Sequence, residues 1–156
     1  MSTLEVKAIQ APTGYDLQMP AGHILQTVSV ANGTEESTTN SSSWVAHSGL
    51  TASITPSATS SKILVTIAFS YRTANSTNNF NATIYRNSTN LLHSTMGAGT
   101  LFDGTAYYQG HATLQFLDSP STTSSTTYQL YYKGGTTTTI NTDSGIGTIT
   151  LQEVAG

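Results

Sequence analysis

The chain has 156 residues and a formal net charge of −3, and only 8% of its residues are charged, against about 25% in an ordinary soluble protein. In their place stand 29 Thr and 20 Ser. Cysteine is absent and the five cations (Lys7, Lys62, Arg72, Arg86 and Lys133) are scattered, which excludes a disulfide framework, a thiolate metal site and the clustered basic patch of a nucleic-acid binder.

No apolar run approaches the roughly 20 residues of a membrane-spanning helix, so no membrane contact is expected. The start, Met-Ser-Thr-Leu-Glu-Val-Lys, lacks a secretory leader pattern. Synthesis in a cytoplasm, without export by the general route, is the expectation. Sequons occur at Asn32, Asn40, Asn75, Asn81 and Asn87. A chain this rich in Ser and Thr produces them by chance, and without a leader they are not read as glycosylated. Thr favours strands and Ser favours turns, so the composition points to an all-β protein.

In chain order, residues 1–22 stand apart. Pro12, Gly14, Pro20 and Gly22 rule out a stable helix. The segment reads as an extended N-terminal arm with regularly spaced apolar residues: Leu4, Val6, Ile9, Tyr15, Leu17 and Met19. Such an arm docks on a partner or covers its own domain. Residues 23–156 then read as one β-sandwich. His23–Val30 alternates, with Ile24 and Val28 on one face. Residues 32–43 form a polar loop with Glu35-Glu36. Ser43–His47 and Leu50–Ile54 read as two short strands parted by Gly49. Lys62–Thr73 carries the strongest alternation, with Ile63, Val65, Ile67, Phe69 and Tyr71 on one face. Phe80–Arg86 follows, then a tight turn at 87–90, Leu91–Met96, and a glycine-rich loop at 97–104. Ala106–Asp118 is a long strand with a kink expected at Gly110. Tyr128–Lys133, Thr137–Thr142 and Gly147–Val154 complete the set, with Gly134-Gly135 predicted as a hairpin between the first two.

Eight or nine strands, with turn signals every 8–14 residues and no helical period, fit an antiparallel jelly-roll sandwich. The alternative is a seven-stranded immunoglobulin-like sandwich. No short internal repeat supports a propeller or β-helix.

Candidate chemistry is sparse. Acidic residues are too few and too scattered to nominate a pair for glycoside hydrolysis; Asp103 and Asp118 could meet in space, but Asp is also a common turn residue. His23, His47, His93 and His111 show no metal-ligand spacing. No G-x-S-x-G elbow occurs, and Gly97-Ala98-Gly99 opens no helix. The expectation is a non-enzymatic protein without metal or cofactor. The pairs Tyr107/Tyr108 and Tyr131/Tyr132 must each send one ring away from the local core. Tyr107 and Tyr131 are therefore the candidate exposed aromatic interface, for a protein partner or a sugar.

Several segments carry a family resemblance. They are Ala11-Pro12-Thr13-Gly14-Tyr15-Asp16-Leu17-Gln18-Met19-Pro20-Ala21-Gly22, Ile54-Thr55-Pro56-Ser57 with Ser60-Ser61-Lys62-Ile63-Leu64-Val65, and Thr148-Ile149-Thr150-Leu151-Gln152-Glu153-Val154. Phe116-Leu117-Asp118-Ser119-Pro120 and Ile84-Tyr85-Arg86 belong to the same pattern. With these, the chain resembles the small β-rich virion structural proteins of tailed bacteriophages of the cyanophage and marine type. The resemblance implies a protein of the virion surface, made in the host bacterial cytoplasm and assembled as a homotrimer. It implies a capsid decoration (cement) protein seated on the major capsid protein, or a tail-fibre protein. In the second case, residues 32–43 and 97–104 would meet a host surface glycan.

Overall fold

The computed structural model describes residues 20–74, 79–102, 107–135 and 137–156. All regular structure among them is strand. In chain order these are β1 (Ile24–Asn32), β2 (Glu36–Thr38), β3 (Val45–Ile54), β4 (Lys62–Thr73), β5 (Phe80–Arg86), β6 (Thr89–Asn90), β7 (Thr100–Phe102), β8 (Tyr108–Asp118), β9 (Thr126–Gly134), β10 (Thr138–Ile140) and β11 (Gly147–Val154). Seven are long and four have two or three residues.

The pairing is nested. β1 pairs with β11, β3 with β9, β4 with β8, and β5 with β7, all antiparallel. One sheet runs β1-β11-β4, with β8 on the far side of β4 and the short β10 and β2 continuing beside its end. The other runs β3-β9-β5, with β6 and β7 on the outer side of β5. This is the jelly roll expected from the strand pattern.

The alternation in β4 dictates the core. Ile63, Val65, Ile67, Phe69 and Tyr71 all point between the sheets and are buried. Phe80, Ala82 and Ile84 from β5 and Tyr128, Leu130 and Tyr132 from β9 face them. Phe69, Tyr71 and Phe80 form an aromatic cluster with centroids 4.7–6.5 Å apart. Each large side chain buried in this way contributes about 1.5–3 kcal/mol.

The outward faces explain the hydroxyl-rich composition. Ser29 faces Thr150, Ser37 faces Thr139 and Ser53 faces Thr127, each directly across a strand pair. Their hydroxyls bond at 2.9, 2.8 and 2.7 Å. Gln115 donates to its partner Thr66 at 3.3 Å. Such pairs do on these sheets what cross-strand ion pairs do elsewhere.

Three local expectations are corrected. Ser43–His47 and Leu50–Ile54 are not two strands parted by Gly49. They join in β3, whose register slips between Ala46 and Thr51. Ile24 does not share a face with Val28. An extra residue, Leu25, bulges β1 between Ile24 and Gln26, so Ile24 turns outward and lies 54% exposed. Gly134-Gly135 does not close a hairpin. β9 and β10 lie in different sheets, and the chain changes sheets after Gly134.

His47 holds the β3 irregularity. Its side chain is fully buried, and Nδ1 accepts from the amides of Gly49 and Leu50 at 3.2 and 3.1 Å. An accepting Nδ1 carries no proton. Burial lowers the His47 pKa; the Glu36 charge and the Thr34 carbonyl oppose the shift without reversing it. The Thr34 carbonyl lies outside bonding geometry, and Nε2 meets no hydrogen-bond partner among the described residues. A base whose folded pKa is depressed stabilises the fold fully above its ordinary value of 6.5, and that stability declines as pH falls below it. Melting at pH 5.5 is therefore expected below melting at pH 7.5. His47→Asn, which keeps an acceptor but does not titrate, should flatten that difference. An unchanged difference would show that His47 does not cause it.

Candidate functional site

The outer face of the β3-β9-β5 sheet collects the functional side chains. Lys133 in β9 stands directly across from Asn81 in β5. Trp44, just before β3, lies on its other side, with the Lys133 ammonium 4.6 Å from the ring centroid. The Trp44 indole donates to the Ser94 carbonyl at 2.7 Å. The Asn81 amide donates to the carbonyls of Met96 and Gly99 and to Thr100 Oγ1, each at 3.3 Å. Trp44 and Asn81 thus clamp residues 94–100 against the sheet.

Two further contacts shape that segment. His93 Nδ1 accepts from the amides of Thr95 and Met96 at 3.2 and 3.1 Å. Gly97 sits at φ 60°, and a Cβ there would come within 2.2 Å of the Ala82 carbonyl oxygen and 2.9 Å of the Trp44 ring. A side chain at 97 would lift the segment off the sheet.

Between these parts lies a polar cavity of about 270 Å³, lined by Ser41, Asn79, Asn81, Thr95, Met96, Lys133 and Gly135. Of the two loops that the sequence offered for glycan contact, 32–43 lines it through Ser41, and 97–104 contributes no lining residue. Next to it on the same face, Tyr131 stacks on Tyr85, with centroids 3.9 Å apart and planes 22° apart. Tyr132 points inward, buried against the tilted ring of His47. Burial, helped by the Glu36 charge, pushes its phenol up to about 12.

The sequence-derived candidates fall in different places. Leu4, Val6, Ile9, Tyr15, Leu17 and Met19, and also Asp103, lie outside the described residues. Tyr107 is 58% exposed at the entry to β8, beside the first sheet, whereas Tyr131 lies in β9, inside the second. Tyr108, expected to turn inward as the partner of Tyr107, remains partly exposed and packs on Tyr71 at 5.9 Å. Asp118 is tied up: Arg86 and Tyr128 occupy both of its oxygens. His23 and His111 are exposed, whereas His47 and His93 each accept two amides of their own turn.

Two residues of this candidate site went unread in the sequence. Nothing marked Lys133 as buried or Trp44 as its cover. A signal existed for the shared turn: both segments read His-Ser-x-x, His47-Ser48-Gly49-Leu50 and His93-Ser94-Thr95-Met96.

No family model matches the chain, and no curated protein matches it in sequence. Solved structures do match. That of infectious bursal disease virus, Gt strain, is similar with a TM-score of 0.50 and 12% identity, over 96% of this chain and 43% of that one. The VP2 protein of the same virus, as a D431N mutant in T=1 particles, is similar with a TM-score of 0.48 and 13% identity, over 96% and 41%. The chain spans about two fifths of the length of these proteins. At this identity the likeness is one of fold: an all-β sandwich of the kind found in virus-particle proteins.

Proposed function

We propose that this protein is a non-enzymatic structural component of a virus particle, a decoration (cement) protein on the head of a tailed bacteriophage. The observation that supports it most is the jelly roll, shared over 96% of the chain with a virus-particle structure. The resemblance of the sequence to phage virion proteins supports the same reading. In this reading residues 1–22 form the arm that docks on the major capsid protein, and residues 23–156 form the body. Three copies assemble, and buried interface ties neighbouring capsid subunits together. Tyr107 and Leu117 lie exposed at the two ends of the edge strand β8 and offer apolar surface to a second copy.

A second reading has its own support. The cavity and stacked tyrosines on the β3-β9-β5 face suit a tail-fibre protein that touches host surface glycan. Cryo-electron microscopy of intact particles separates the two. Copies on icosahedral positions, lost when residues 1–20 are deleted, are the expected result, together with a solution mass near three times 16.4 kDa by light scattering. A few copies at the tail would overturn the cement reading in favour of the fibre. A truncated protein that still decorates heads would overturn the role of the arm.

A further inference from the structure

Lys133 is 7% exposed, yet no carboxylate among the described residues pairs with it. All five described Asp and Glu side chains are committed elsewhere. Glu35 and Asp143 hold Arg72, Asp118 holds Arg86, Glu36 accepts from Ser48, and Glu153 accepts from Gln26 and Ser57. The lysine stem is buried, while its ammonium stays open to the cavity, where no side-chain carboxylate among the described residues answers it. The Trp44 ring compensates on one side only. On another side Lys133 lines the cavity, whose rim carries the exposed polar side chains of Ser41, Asn79 and Thr95 and the side chain of Met96.

We infer that this cavity binds a carboxylate-bearing sugar unit, with the carboxylate on the Lys133 ammonium. Asn79, Ser41 and Thr95 are placed to bond ring hydroxyls, and Met96 offers an apolar surface to the ring. A volume of about 270 Å³ falls just below the roughly 300–1,000 Å³ of sites for drug-sized ligands, which suits a single sugar ring. The inference deepens the second reading above by naming the glycan class. It does not depend on whether the protein sits on the head or the tail.

The test is an NMR titration of the full chain with sodium glucuronate, glucose and inorganic sulfate, following the amides of Asn79, Thr95 and Gly135. Glucuronate is expected to shift them with a Kd on the order of 1 mM. Glucose and sulfate should each bind at least tenfold more weakly. Lys133→Met keeps the aliphatic stem over Trp44 and should weaken glucuronate at least tenfold. If that variant fails to fold, Asn79→Ala, at an exposed position, carries the test and should weaken glucuronate several-fold. Equal binding of glucose and glucuronate would overturn the acidic-sugar inference while leaving a glycan role standing. Sulfate binding as tightly as glucuronate would overturn the sugar part. No shift with any of the three would overturn both the inference and the glycan reading.

Discussion

Asp118→Ala is expected to lower the melting temperature by about 6–12 °C. Asp118 closes β8 and points inward, with its side chain almost fully buried. Both of its oxygens accept from Arg86 Nη1 at 2.9 Å, and Oδ2 accepts from the Tyr128 hydroxyl at 2.7 Å. Arg86 and Tyr128 stand opposite each other on β5 and β9. One carboxylate from the first sheet therefore grips a cross-strand pair of the second. Burial, then this hydrogen bond, pushes the Tyr128 phenol far above its ordinary range, so it remains a donor. Removing the carboxylate strands a buried hydroxyl and a guanidinium. Breaking a fully buried pair costs about 3–5 kcal/mol, and the partly exposed Arg86 places this case near the lower end, about 3 kcal/mol. In a domain of this size each kcal/mol moves the melting temperature by about 2–4 °C. Asp118→Asn keeps an acceptor for Tyr128 and should lose about half as much. Calorimetry at fixed protein concentration decides; a shift of under about 2 °C for the alanine variant would refute the clasp.

Glu153 should make the fold sensitive to acid. It lies near the end of β11 with no exposed surface. Its Oε1 accepts from the Ser57 amide and hydroxyl at 2.7 and 2.6 Å, and its Oε2 from Gln26 at 2.6 Å. Burial alone would raise its pKa. The bonds from Ser57 and Gln26, with the adjacent Ser61 hydroxyl, overcome that and hold it at about 2. Ser61 contributes by proximity, since its Oγ lacks full bonding geometry. The ordinary value is 4.5. An acid with a depressed folded pKa stabilises the fold above its unfolded value and loses that stability as pH falls toward the folded one. The window here runs from about pH 5 down to about 2. On the order of 2–3 kcal/mol should be lost across it. Urea midpoints at pH 7, 4 and 2.5 measure this. Glu153→Gln should be weaker at pH 7 and show a shallower decline; the same decline as the parent chain would assign the effect to other groups.

The fold was legible where one face of a strand is apolar. The period-two run of β4 marked the core residue by residue, because an antiparallel strand must keep alternate side chains on one side. What escaped the sequence depends on partners distant in the chain. The bulge at Leu25 exists only against β11. The separation of β9 from β10 is a choice between sheets that a Gly-Gly pair does not reveal. Asp118 could be read as a turn residue or a catalytic acid until Arg86 and Tyr128 stood beside it. Lys133 belongs to an apparently ordinary Tyr-Tyr-Lys end of a strand, and its burial follows from Trp44, 89 positions earlier. Side-chain rows were readable, whereas neighbours across long loops were not.

The nested pairing also has a consequence in time. β11 lies between β1 and β4, so a central position of the first sheet is filled by the last strand of the sandwich to leave the ribosome. Until then β1 lacks its partner among the described strands, and the edge of β4 that β11 covers stays open. Folding must wait for closure of a loop more than 100 residues long between Asn32 and Gly147, which places this chain among slow folders, on the order of milliseconds to seconds. A nascent chain stalled before residue 147 would expose unpaired strand edges to its neighbours, the condition under which β proteins aggregate.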